Sequence, residues 1–230
     1  MKKHIVLTAL LAILLSAGAV NAALRDKGGD NMAVGAYLGS GFSFVAGEGY
    51  EETSLWDRSD RTGKYSGEGG LYFNYYFTPI VGLEVGIGFM SNGIRFQGDN
   101  VTERVRIIHM ELPVLAKFDI HNFRLAAGLA FWFALSGETK LEGGNTTTTT
   151  DWEDDEWAYV HRVNFGPKLY AGYAIPVGPL FLVPSLSFRV HLVNDMNRKE
   201  IDEDYPLVDE DALDFRFINL HFNFAVEYTF

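Results

Sequence analysis

The segment Phe222–Phe230 reads FNFAVEYTF. Phe222, Phe224, Val226, Tyr228 and Phe230 share one parity; Asn223, Ala225, Glu227 and Thr229 share the other. Successive side chains of an extended chain point to opposite faces, so this is a strand with one large apolar face and one face of small or polar residues. The same alternation recurs in seven earlier runs. One sets Val34, Ala36, Leu38, Phe42 and Phe44 against Gly35, Gly39, Gly41 and Ser43. Another sets Ile108, Met110, Leu112, Val114, Ala116 and Phe118 against His109, Glu111, Pro113 and Lys117. Each of the eight runs is about 10–15 residues long, whereas ordinary globular strands average ~5–6 and a tilted strand crossing a bilayer needs ~9–11. A soluble sandwich would turn its large apolar face inward. Here the small and charged residues suit a crowded lumen and the large ones a lipid-facing wall.

The connections alternate as well. Short turns fall at Thr78-Pro79, Asp119–Asn122 and Pro176–Gly178. Long ones fall at 46–66, 91–103, 137–160 and 193–214. Short turns on one side and long loops on the other describe an up-and-down transmembrane barrel. The predicted fold class is therefore all-β, an eight-stranded antiparallel up-and-down transmembrane β-barrel.

Composition agrees. The chain has 230 residues, 47% of them hydrophobic and 14% aromatic, which argues against disorder. Its mean hydropathy is +0.00, far below a helical membrane protein but natural for strands with one polar face. A net charge of −11 disfavours a nucleic-acid binder. The absence of cysteine removes disulfides, thiolate metal sites and a thiol nucleophile.

Residues 1–22 read MKKHIVLTALLAILLSAGAVNA. Lys2, Lys3 and His4 precede an apolar run, and Val20-Asn21-Ala22 follows as a small-residue cleavage pattern, which together read as a secretory signal peptide. The apolar run is shorter than a spanning helix requires. Cleavage after Ala22 leaves residues 23–230 as one barrel domain and, with Lys2 and Lys3 gone, takes the charge from −11 to −13.

These residues resemble the small eight-stranded outer-membrane barrels, the OmpA-like or porin-like families of bacteria with two membranes. FNFAVEYTF resembles their terminal aromatic strand, and HMELPVLAKF at His109–Phe118 is similar to a strand of porin-like barrel domains. The resemblance implies residence in the bacterial outer membrane among its lipids. It also implies that Phe222, Phe224, Val226, Tyr228 and Phe230 are the signal read by the barrel-assembly machinery. No cofactor is expected, and the resemblance leaves function open because the families are functionally mixed.

Three groups of residues are candidates for chemistry. By parity Glu84, Glu111, Glu227, Lys117, Arg124, Lys168 and Arg189 point into the lumen, with Glu68 and Arg162 nearer the outer rim. Charges in so narrow a bore must be paired, since a lone buried charge costs several kcal/mol. Residue counting puts Glu84, Lys117, Arg124 and Glu227 toward the periplasmic end and Glu111, Lys168 and Arg189 higher, so each layer can pair within itself. This is a structural ion-pair plug, or else a narrow ion path.

The second group is the outer connections, with 23 acids against 7 bases, densest at Asp151–Trp157 and Asp202–Asp214. They read as solvated loops or as a surface for an unnamed ligand, with Trp152, Trp157 and Tyr159 beside the acids. Weak divalent-cation binding is a lesser reading, because the spacing matches no defined calcium loop; no metal site is assigned. Thr146–Thr150 reads as a low-complexity loop tract.

The third is an enzyme. Outer-membrane lipid A deacylases carry His-x-Ser followed by Asn. Here His191-Leu192-Val193-Asn194 replaces the hydroxyl with Val193, so His191 has nothing to activate. His109 and His221 also point inward. The expected function is a non-catalytic barrel with a plugged lumen and acidic surface loops. A small porin-like channel is the alternative, and an outer-membrane enzyme ranks behind both.

Overall fold

The computed structural model describes residues 31–46, 64–97, 101–143, 146–151, 161–193 and 216–230. The segment read as a signal peptide lies outside the described residues. So do 152–157, Tyr159, Asn194 and the acidic run 202–214.

The strands are β1 Met32–Ala46, β2 Lys64–Tyr76, β3 Val81–Gln97, β4 Val101–Ile120, β5 Phe123–Gly143, β6 Thr146–Asp151, β7 Val163–Tyr173, β8 Ile175–Val177, β9 Leu180–Val190 and β10 Arg216–Thr229. Eight of them form a ring of antiparallel neighbours in the order β1, β2, β3, β4, β5, β7, β9, β10. The ring closes where β10 pairs with β1, from Ala33–Thr229 to Ala46–Arg216. Closure leaves no unpaired edge within the ring, which is what a strand-built wall in hydrocarbon requires. The short β8 continues the β7 stave beside β9, and β6 flanks the outer end of β5.

The short turns have local causes. The Thr78 hydroxyl accepts from the backbone N–H groups of Ile80 and Val81 at 3.3 and 2.9 Å, fixing the β2–β3 turn. Gly178 takes a φ of 61° in the β8–β9 turn, a conformation that costs a glycine nothing.

Two of the expected long loops are corrected. The 91–103 connection is largely hairpin, because β3 and β4 pair as far as Gln97–Thr102. The 137–160 connection contains the rest of β5 and all of β6, paired from Gly143–Thr146 to Glu138–Asp151. The Thr146–Thr150 tract is therefore strand. Threonine is β-branched and fits a pleated ladder, but a stretch polar on both faces carries no apolar alternation to read.

The two faces of the wall are inverted relative to a soluble protein. Leu38 is 74% exposed and Leu71 61%, while Arg189 and Glu227 are 0% exposed. An apolar exterior over a polar interior is stable only with hydrocarbon outside. Among the described residues no helix is long and apolar enough to cross a membrane, so crossing falls to the strands. Glycines on the inner face make room for larger partners: a Cβ at Gly35 would stand 2.2 Å from the Tyr72 ring, and one at Gly88 would stand 2.4 Å from the Tyr37 hydroxyl.

Candidate functional site: the charged bore

The seven predicted lumen charges are all buried, and the structure joins them in two layers. In the layer nearer the short turns, β4 supplies Lys117, β3 Glu84, β5 Arg124 and β10 Glu227. Lys117 Nζ lies 3.5 Å from Glu84 Oε2 and 3.3 Å from Glu227 Oε2. Arg124 Nη1 forms an ion pair with Glu227 Oε1 at 2.5 Å. Hydroxyls and an amide complete the carboxylates: Tyr72 and Asn74 donate to Glu227 at 3.2 and 2.9 Å, and Tyr170 donates to Glu84 at 2.7 Å. Lys117 also lies over the Tyr72 and Tyr76 rings, 5.5 and 5.7 Å from their centroids, within cation–π range.

In the upper layer Glu111 is the hub. Lys168 Nζ and Arg189 Nε each lie 2.8 Å from its carboxylate, and the Trp132 indole donates to it at 3.2 Å. The far side of the Arg189 guanidinium pairs with Glu68. His221 Nδ1 stands 2.9 Å from Glu68, and Ser187 donates to Glu68 at 3.2 Å. Arg189 thus spans two carboxylates on two strands, a use suited to a planar guanidinium with several donors.

Between the layers lies a cavity of about 40 Å³ bordered by Tyr37, Tyr72, Glu84, Lys117, Lys168 and Tyr170. That space suits on the order of one to three waters. Above the upper layer, Trp132 stacks on His191 at 4.3 Å between ring centroids. His109 and Phe217 meet His191 edge-on at 5.6 and 5.7 Å. The three inward histidines therefore divide: His221 joins the ionic layer, while His109 and His191 join an aromatic lid. Among the described residues no group of His, Asp and Glu is arranged to hold a metal ion.

Two members were missed or misplaced. Glu68 was expected near the outer rim, yet it is 7% exposed and bonded to Arg189 and His221. Strand tilt sets the stagger between neighbours, and counting along one strand does not see it. Asp119 falls in a predicted turn, but it lies 3.6 Å from Arg124 and accepts from the Tyr76 hydroxyl at 3.0 Å. Its signal was parity with Lys117. With these two the layers hold five acids and four bases, where the predicted set had three acids and four bases.

A family model described as "Outer membrane protein beta-barrel domain" matches residues 25–193. Solved structures of similar fold include Neisserial surface protein A, at 12% identity over 88% of this chain and 100% of that one, with a TM-score of 0.40. They also include OprG from Pseudomonas aeruginosa, at 10% identity over 89% and 97% with a TM-score of 0.43. A third is Ail of Yersinia pestis in complex with the heparin analogue sucrose octasulfate, at 12% identity over 86% and 99% with a TM-score of 0.40. No curated protein matches the chain.

Proposed function

The chain belongs to the outer membrane protein β-barrel domain family, and we propose that within it this protein is a non-conducting scaffold. Its bore is plugged by its own ion pairs, and its outer connections serve surface interaction or envelope integrity. One observation carries the reading. Charged side chains from seven strands cross the bore in two layers, with a cavity of about 40 Å³ between them. Interlocked ions of this kind satisfy one another and leave few groups to hydrate a passing ion.

The test is planar-bilayer recording of the reconstituted barrel. The expected result is no conductance above membrane leak; steady unitary openings would replace the scaffold reading with the small-channel one. The small cavity lined by Glu84, Lys117 and Lys168 is the feature that favours that second reading. Neutralising Lys168 and Arg189 discriminates further, since it shifts ion selectivity in a channel and only stability in a plug.

The proposal gives the chain no catalytic step: His191 stacks on Trp132, and the neighbouring Val193 offers no hydroxyl. Residues 1–22 direct export, and Phe222, Phe224, Val226, Tyr228 and Phe230 are read during assembly. In support, β10 carries the first four on its outward face and Phe230 follows directly after it, from Phe222 at 55% exposure to Phe230 at 45%. Deleting Phe230 is expected to lower the yield of membrane-inserted protein without reducing export, measured by heat-modifiable gel mobility of membrane and periplasmic fractions.

A further inference from the structure

At the outer end the wall has a step. The β2–β3 ladder ends at Glu68–Met90, whereas β3–β4 pairing continues to Gln97–Thr102 and β4–β5 pairing to Val101–Gly143. A cleft of about 860 Å³ occupies the step.

Its lining changes character along the barrel axis. Tyr65 and Phe89, 70% and 53% exposed, belong to the apolar outer face. Ile108 shares that face on β4, and Arg106 and Arg104 follow it at period two. On β5 a register shift opposite Ile108 and His109 brings Glu138 and Lys140 level with Arg106 and Arg104. Lys64 reaches across from the end of β2, its Nζ donating to the Val105 carbonyl at 3.0 Å. Its Cδ fills the space beside Gly93, 2.3 Å from where a Cβ would stand.

The cations outnumber their partners. Among the described residues, Lys64, Arg104, Arg106 and Lys140 line the cleft against Glu138 alone. Glu142 supports Arg104 and Lys140 from the side, at 2.9 Å each. Lys64 lies beyond the apolar band, and its ammonium is lowered to about 8, first by burial and then by Arg106. Among the described residues the cluster thus has more positive than negative charge, while the outer connections as a whole carry 23 acids against 7 bases.

We propose that this cleft seats a phosphorylated glycolipid of the outer leaflet. Its phosphates are held by Lys64, Arg104, Arg106 and Lys140, and its acyl chains descend over Tyr65, Phe89 and Ile108. Guanidinium forks bind phosphate through paired charge-assisted hydrogen bonds. The order of the lining, cations above and apolar rings below on the barrel's outer side, matches an amphiphile standing in the leaflet. A soluble polyanion would use the cations and gain nothing from the rings. The inference rests on the membrane placement of the barrel and is independent of whether the bore conducts.

The test is native mass spectrometry of the purified full chain in detergent micelles, titrated with diphosphorylated lipid A, with the same lipid after phosphatase treatment, and with soluble heparin. Wild type is expected to retain one diphosphorylated lipid and to bind the dephosphorylated form about tenfold more weakly or worse. Arg104→Gln/Arg106→Gln/Lys140→Gln should lose the lipid by a similar factor, while Arg162→Gln at another part of the rim keeps it. Arg106→Gln alone, at an exposed position, serves if the triple variant fails to show heat-modifiable folding. Equal binding of both lipid forms, undiminished binding by the folded variants, or binding of heparin but not lipid A would overturn the proposal. A chain that folds, inserts and stays silent in bilayers yet shows no phosphate preference sinks this inference alone. A chain that does not insert at all removes the membrane reading beneath it.

Discussion

Arginine meets carboxylate at two levels of this barrel, in opposite surroundings. In the bore, Arg189 lies between Glu68 and Glu111 with none of the three side chains exposed. At the outer end, Arg104 lies 2.9 Å from Glu142 with the two side chains 36% and 29% exposed. The groups are the same and water makes the difference. Buried ions depend on their partners, because a stranded one has no solvent to fall back on. Rim ions lose little when a partner goes, because water replaces it. The bore charges therefore depend on one another, and the rim charges stand within reach of water.

The largest expected effect is in the bore. Arg189→Met removes the cation that Glu68 and Glu111 share, leaving Glu111 to Lys168 and Glu68 to His221 and Ser187, and should cost about 3–5 kcal/mol in urea unfolding from micelles. Lys168→Met should cost less, because Glu111 keeps Arg189. A lipid-facing charge comes next: Leu125→Arg should cost ~2–4 kcal/mol if that position lies near the bilayer midplane. Gly35→Val would drive a side chain into the Tyr72 ring, which donates to Glu227. Overpacking of that kind costs about 1–3 kcal/mol, and the variant should show it as a lowered urea midpoint. The smallest effect belongs to the rim, where Glu142→Gln should change stability by no more than ~1 kcal/mol, and less in high salt. A rim variant as damaging as Arg189→Met would erase the contrast between the two levels.

What the sequence disclosed follows the same division. Period-two alternation is imposed wherever one face meets lipid and the other meets the bore, so the eight staves and the inward set from Glu84 to Glu227 could be read from parity. Beyond the apolar band that constraint ends. In the extensions of β3 and β4 the apolar residues fall on the opposite parity (Ile94 and Phe96, then Val105 and Ile107), the end of β5 has only Leu141, and the threonine strand β6 is polar on both faces, so none continues the alternation of the staves. Height within the bore was hidden for another reason: tilt slides Glu68 on β2 level with Arg189 on β9, and no count along a single strand contains that offset. The rim cleft needed both pieces, since Lys64 and Arg106 lie far apart in sequence and come together where the β2–β3 ladder ends at Glu68–Met90 while β3–β4 pairing runs on to Gln97–Thr102.

The central claim is that the bore ions are sealed from water while the rim ions are not. Two double-mutant cycles by urea unfolding test it directly, one on Arg189 and Glu111 and one on Arg104 and Glu142. A sealed bore predicts a coupling of about 2 kcal/mol or more for the first pair and under ~1 kcal/mol for the second. Equal, small couplings with the same salt dependence would mean that the bore is wet, and would contradict the account.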